Sequence, residues 1–226
     1  MLLQLNAQDT TVHVVQDLES WTAARFEYKL NKKLKFNIGY NLRLEHNSSQ
    51  LNQHFTEFSA NYKLHDFVSL NGELRYGLKL KNSGQTEQYM RFFYASKFQY
   101  DFNRFEINAR IAYQNRNVLG SGITDLTEPQ YVLRYRIGLD YNIKGWKLDP
   151  KFSYELFRDT RITDPQFYKY RLRLGTEYSL KKAGEIDLFL AHERELNASY
   201  PLNATIIGAT YTFSTKRKKK EQKDED

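Results

Sequence analysis

The side chains able to do covalent chemistry are few and scattered along this chain of 226 residues. Cysteine is absent, which excludes thiolate nucleophiles, disulfides and cysteine metal sites. The five histidines are His13, His46, His54, His65 and His192. A serine hydrolase needs a base beside its hydroxyl. His54 and His192 fall near the apolar parity of their segments, with Thr56 and Ser59 close to His54. No His-Xaa-Ser spacing occurs, and a strand-end histidine is the ordinary reading. Paired acids for a protease at a barrel rim would come from Asp159, Asp164 or Glu193. Rim acids are common without chemistry, and no His-Glu-Xaa-Xaa-His metal spacing is present. The expectation is no enzyme, no cofactor and no metal; a lipase- or protease-type activity is the weakest alternative.

Charge is the denser signal. Arg75, Arg134, Arg136, Lys169, Arg171 and Arg173 alternate with apolar residues, as do Glu73, Glu106, Asp140, Glu155 and Glu177. Arg25, Lys35, Arg43, Arg91, Lys97, Arg110 and Lys151 follow the same rule, with Glu27, Glu57 and Asp187. Gathered on one face, these groups would do one of two things. Bases and acids on neighbouring strands could pair and close a narrow lumen, since buried charge is costly unless paired. A water-filled pore with a basic excess would instead favour small anions. The stretches 130–141 and 167–180 carry the strongest excess, with Asp140 and Glu177 their only acids. Water, anions or acids from other strands must therefore reach them.

The elements that position these groups are strands. Leu34, Phe36, Ile38, Tyr40, Leu42 and Leu44 alternate with Lys35, Asn37, Gly39, Asn41 and Arg43 without a miss. Period two puts one set on each face. The pattern predicts strands near 20–30, 34–45, 54–64, 67–80, 87–100, 104–116, 130–141, 146–157, 167–180, 185–193 and 204–213. Connections alternate between short and long, the longer ones near 46–53, 81–86, 117–129, 158–166 and 194–203. Roughly 9–11 residues suffice for a tilted strand to cross a bilayer. Short periplasmic turns and long outside loops mark an outer-membrane barrel. Tyr28, Tyr62, Tyr100, Tyr141, Tyr178 and Tyr211 sit on the apolar parity near the short-turn ends, and Trp146 is expected to begin a strand there. Such rings belong at a membrane–water boundary. Tyr40, Tyr76, Tyr113, Tyr154 and Tyr168 would form the opposite girdle.

The fold expected is an all-β, antiparallel up-and-down transmembrane barrel of about twelve strands, or ten or eleven. The twelfth would lie in 10–17, placing both termini in the periplasm; an N-terminal segment threaded through the lumen is the rival. Residues 1–7 read as the remnant of a signal peptide, 8–213 as one barrel domain, and 214–226 as a charged, disordered tail. The final strand, with Ile207, Ala209, Tyr211 and Phe213, has the aromatic ending that barrel-assembly machinery recognises elsewhere, although the tail follows it.

Composition agrees. Mean hydropathy is -0.73, and no run approaches the 18 apolar residues of a membrane helix. A barrel's polar lumen cancels its apolar exterior in any average. Net charge is +7, but the bases alternate along strands and form a run only at 216–220, so nucleic acid is not the expected partner. Lipid is. A lipocalin-like soluble barrel also alternates, yet its apolar side would point inward, and so much Phe, Tyr and Leu would overfill it.

The segment Gln16-Asp17-Leu18-Glu19-Ser20-Trp21, then Phe26-Glu27-Tyr28-Lys29-Leu30, resembles a family of uncharacterised Gram-negative outer-membrane barrels known only as a domain of unknown function. Leu70-Asn71-Gly72-Glu73-Leu74-Arg75-Tyr76-Gly77 is similar to that family's central strand. The resemblance implies a barrel in the outer membrane and brings no catalytic residues.

Overall fold

The computed structural model describes residues 14–81, 83–120, 130–161, 166–180 and 183–216. Eleven strands form one closed barrel. They are β1 (Val15–Lys29), β2 (Leu34–Glu45), β3 (Gln50–His65), β4 (Val68–Leu80), β5 (Thr86–Phe102) and β6 (Phe105–Leu119). The remainder are β7 (Tyr131–Tyr141), β8 (Asp149–Asp159), β9 (Phe167–Ser179), β10 (Glu185–Glu195) and β11 (Leu202–Lys216). Each strand pairs antiparallel with its sequence neighbours, as an up-and-down meander requires.

An odd count leaves the first and last strands running the same way, so closure must be parallel. β1 pairs β11 in parallel from Val15↔Leu202 to Lys29↔Lys216. Eleven is one of the expected counts, and the twelfth strand is the point corrected. Residues 15–17 extend β1 and build no twelfth strand, while 10–13 lie outside the described residues. β1 begins at the long-loop end and β11 finishes at the short-turn end. The tail boundary also moves. Residues 214–216 continue β11 because Glu27, Tyr28 and Lys29 extend beside them as partners. Residues 1–7 and 217–226 lie outside the described residues.

Local chemistry sets the turns. Asn31 Oδ1 accepts from Lys33 N and Leu34 N, both at 2.8 Å, and so closes the β1–β2 turn. Asn103, at φ 53°, makes the tight turn between β5 and β6. At the other end, Asp17 accepts from His46 N at 3.0 Å and Asn47 N at 2.8 Å, tying a long connection to β1. Trp146 lies in the turn before β8 and does not begin the strand; its amide donates to Ile143 O at 3.0 Å.

The apolar parity faces outward. Ile137, Tyr100 and Leu174 are 62%, 66% and 55% exposed, whereas Arg75 and Glu155, of the opposite parity, are 6% and 4%. An inward-apolar soluble barrel has the reverse arrangement. Tyr28, Tyr62, Tyr141, Tyr178 and Tyr211 hold outward positions near the short-turn rim with Tyr100 and Trp146. Tyr168 departs from its expected girdle position. The register slips between Phe157 and Arg158, which turns Phe167 outward and leaves Tyr168 on the lumen side.

Candidate functional site

The lumen holds the charged groups, and β8 explains the local excess of base. It lies between β7 and β9 and carries Glu155, which stands opposite Arg136 and Arg171 in register. Arg134 donates Nε to Glu155 Oε1 and Nη2 to Oε2, each at 3.0 Å. Arg110 Nη2 donates to Oε1 at 2.5 Å, and Arg171 Nη1 lies 3.7 Å from Oε2. One carboxylate thus gathers three guanidinium groups from β6, β7 and β9. Arg171 finds its main partner on β10, donating Nε to Glu193 Oε2 at 2.7 Å. Lys169 Nζ is 2.6 Å from the other oxygen of Glu193, and Arg173 pairs with Asp187. Glu193, expected at a rim, is therefore part of the lumen.

A second cluster of bases and acids spans three strands. Glu57, Arg75 and Arg91 are directly opposed on β3, β4 and β5. Arg75 Nη2 lies 2.6 Å from Glu57 and 3.6 Å from Glu73, while Arg91 pairs with Glu73 and lies 3.8 Å from Glu57. Of the other expected acids, Glu106 is 3.3 Å from Lys97, Glu177 pairs with Lys151, and Asp140 opposes Lys151 in register. Arg116 also pairs with Glu87, at the long-loop end.

Large aromatic residues share this interior, and charge alternation alone did not reveal them. Phe55, Tyr89, Phe93 and Phe157 are buried inside the wall. Arg75 stacks on Phe55 at 3.6 Å, Arg173 on Phe189 at 4.0 Å, Arg116 on Tyr89 at 4.5 Å and Arg134 on Phe157 at 4.8 Å. Two glycines make room. Tyr89 opposes Gly77, and a Cβ there would meet its ring at 2.6 Å; Phe189 opposes Gly208, where the gap would be 2.0 Å. The legible signal was an aromatic on polar parity opposite a glycine.

Among the described residues the lumen holds a larger and a smaller cavity. A vestibule of ≈1110 Å³ runs from Asn197 and Ala198 at the long-loop end down to Arg25, Arg110 and Arg173. A smaller cavity of ≈190 Å³ occupies the short-turn half, between Lys97, Asn108, Arg136, Asp140 and Asp187. Arg173 borders both, whereas Glu155 lines neither. Arg and Lys outnumber Asp and Glu along the vestibule.

The candidate catalytic groups are not brought together. His54 projects outward, its Nδ1 3.0 Å from Tyr40 Oη. Ser59 faces inward and accepts from Asn37 Nδ2 at 3.2 Å. They occupy opposite faces of β3. His192 packs against Tyr170, with ring centres 6.2 Å apart. Asp159 accepts from Arg161 Nη2 at 3.0 Å, and Asp164 lies outside the described residues.

Residues 18–204 match a family model described as "Protein of unknown function (DUF2490)". No curated protein matches the chain.

Proposed function

The chain belongs to the DUF2490 family, and we propose that it is an outer-membrane barrel whose lumen is closed at mid-height and forms a blind, basic vestibule. One observation carries the reading: Arg110, Arg134 and Arg171 line the vestibule and converge on Glu155, which borders neither cavity and opposes Arg136 of the smaller one in register. Parting the layer would leave the Glu155 carboxylate and the Arg110 and Arg134 guanidinium groups buried without their partners, so the layer resists opening. The outward apolar face supports the membrane placement. Charged residues there would be costly at bilayer depth, and the wall keeps them inside. In this placement the short turns face the periplasm and the long connections face outside. Its partners are outer-membrane lipid and, during insertion, the barrel-assembly machinery.

The test is purification from outer-membrane fractions, heat-modifiable gel mobility and conductance in planar bilayers. The expected result is a heat-modifiable band with no steady conductance. Recovery in the soluble fraction would remove the membrane reading, and steady conductance would remove the closure. The basic excess of the vestibule favours a second reading, an anion-leaning channel for small solutes. That reading requires the Glu155 layer to part and anions to carry the current. Reversal potentials shifting toward cations in Arg171→Glu with Arg173→Glu would then identify the conducting wall.

A further inference from the structure

Among the described lumen arginines, Arg43 and Arg136 have no ion-paired carboxylate; Arg136 borders the small cavity and Arg43 the large one. Arg43 sits on β2 and lines the vestibule. Its guanidinium carbon lies 3.6 Å from the ring centre of Trp21 and 5.2 Å from that of Phe55. Among the described residues, no carboxylate pairs with it and no acceptor takes its hydrogen bonds. Arg75, Arg171 and Arg91 are like-charged neighbours of it. Each of those has an acid in contact: Glu57, Glu193 and Glu73. Glu19 acts on Arg43 only at longer range, its carboxylate accepting Trp21 Nε1 at 2.8 Å. Arg43 therefore faces the vestibule backed by aromatic rings and flanked by like charge.

A half-buried cation needs a counter-charge or water. A guanidinium carries five donors in a planar fork that matches the paired oxygens of a carboxylate or phosphate. Resting on the reading of a blind vestibule, we infer that this space binds a small solute through a carboxylate or phosphate group, with Arg43 as the primary contact and Arg171 beside it. Trp21 holds the fork in place: Arg43 lies 3.6 Å from its ring centre and Arg171 4.9 Å. The ≈1110 Å³ of the vestibule leaves space for the body of the solute beyond its anionic group. Entry is from the long-loop side, and the layer at Glu155 stops passage.

Trp21 also supplies the readout. The chain has only two tryptophans, so Trp146→Phe makes Trp21 the sole indole. The folded barrel in detergent is titrated with inorganic pyrophosphate and, separately, with citrate, against sodium chloride of equal ionic strength. A saturable change of Trp21 emission is expected in at least one arm, and the responding arm identifies the oxyanion. Arg43→Gln should raise the midpoint at least about tenfold, the loss expected for a charge-assisted contact. Arg43→Lys keeps the charge but loses the fork, so a smaller rise is expected even if the Gln variant fails to fold. Lys97→Gln, at the small cavity, should leave the midpoint unchanged. A chloride control that reproduces the change, no saturable change in either arm, or equal midpoints in both Arg43 variants and their parent would overturn the site. Conductance is read separately: a conducting barrel that still binds through Arg43 loses the closure and keeps the site, and a silent barrel that does not bind loses the site alone.

Discussion

Arg134 grips Glu155 with two parallel hydrogen bonds of 3.0 Å, one to each carboxylate oxygen. Arg110 on one side and Arg171 on the other share the same carboxylate. This arrangement makes Glu155 the group on which the mid-lumen depends, although neighbouring strands in sequence show only surplus base.

Glu155→Gln removes the charge with little change of shape and leaves three guanidinium groups to compete for a neutral amide. A stability loss of about 3–5 kcal/mol is expected, the usual cost of stranding a buried charge. The Lys97–Glu106 pair is more open, with side chains 34% and 28% exposed, so Glu106→Gln should cost about 1 kcal/mol or less. Denaturant midpoints of the two variants in the same detergent compare them. Equal losses would show that the hub does not concentrate the energy.

Faces of the wall should respond differently to charge. Leu74 faces outward and Arg75, the next residue, faces inward between Glu57 and Glu73. Leu74→Arg should impair insertion into lipid vesicles by about 2–4 kcal/mol if the site lies near the midplane. Arg75→Leu should insert but lose stability, because Glu57 loses its shortest ion pair. Folding yield into vesicles, read by protease protection, separates the two. A Leu74→Arg variant that inserts normally would remove the bilayer from the outward face.

Parallel closure is open to a cross-link. Thr22 on β1 opposes Ala209 on β11, while Thr205 lies opposite Leu18. The chain has no cysteine of its own, so an engineered pair is unambiguous. Thr22→Cys with Ala209→Cys should oxidise to a circular product of altered gel mobility, and Thr22→Cys with Thr205→Cys should not, since the sulfur atoms would be out of reach. The opposite outcome would require a different register or an open seam.

Cysteines at the two rims test the orientation proposed for the barrel. Ala198→Cys, in the long connection before β11, should react with an impermeant thiol reagent on intact cells. Lys144→Cys, in the short turn before β8, should react only after permeabilisation. Labelling of both on intact cells would remove the short-turn-inside orientation.

The strands, their alternation and the outward direction of the apolar face were legible in the chain. A period of two is a local property, and only the wall of a barrel uses so many such faces at once. Lumen membership of Arg75, Arg134, Arg136, Lys169, Arg171 and Arg173 followed from the same parity. The tertiary structure alone decided which charges meet. Glu155 serves arginines from β6, β7 and β9, and Arg171 divides itself between β8 and β10, because barrel closure places distant strands around one narrow space. Parity also failed wherever register slipped, as at Tyr168, since a bulge reverses the side on which every residue beyond it points. The count of strands was likewise a closure question: eleven suffice because β1 and β11 can pair in parallel, and hydrogen bonding of the two edges is a property of the assembled wall and of no single strand.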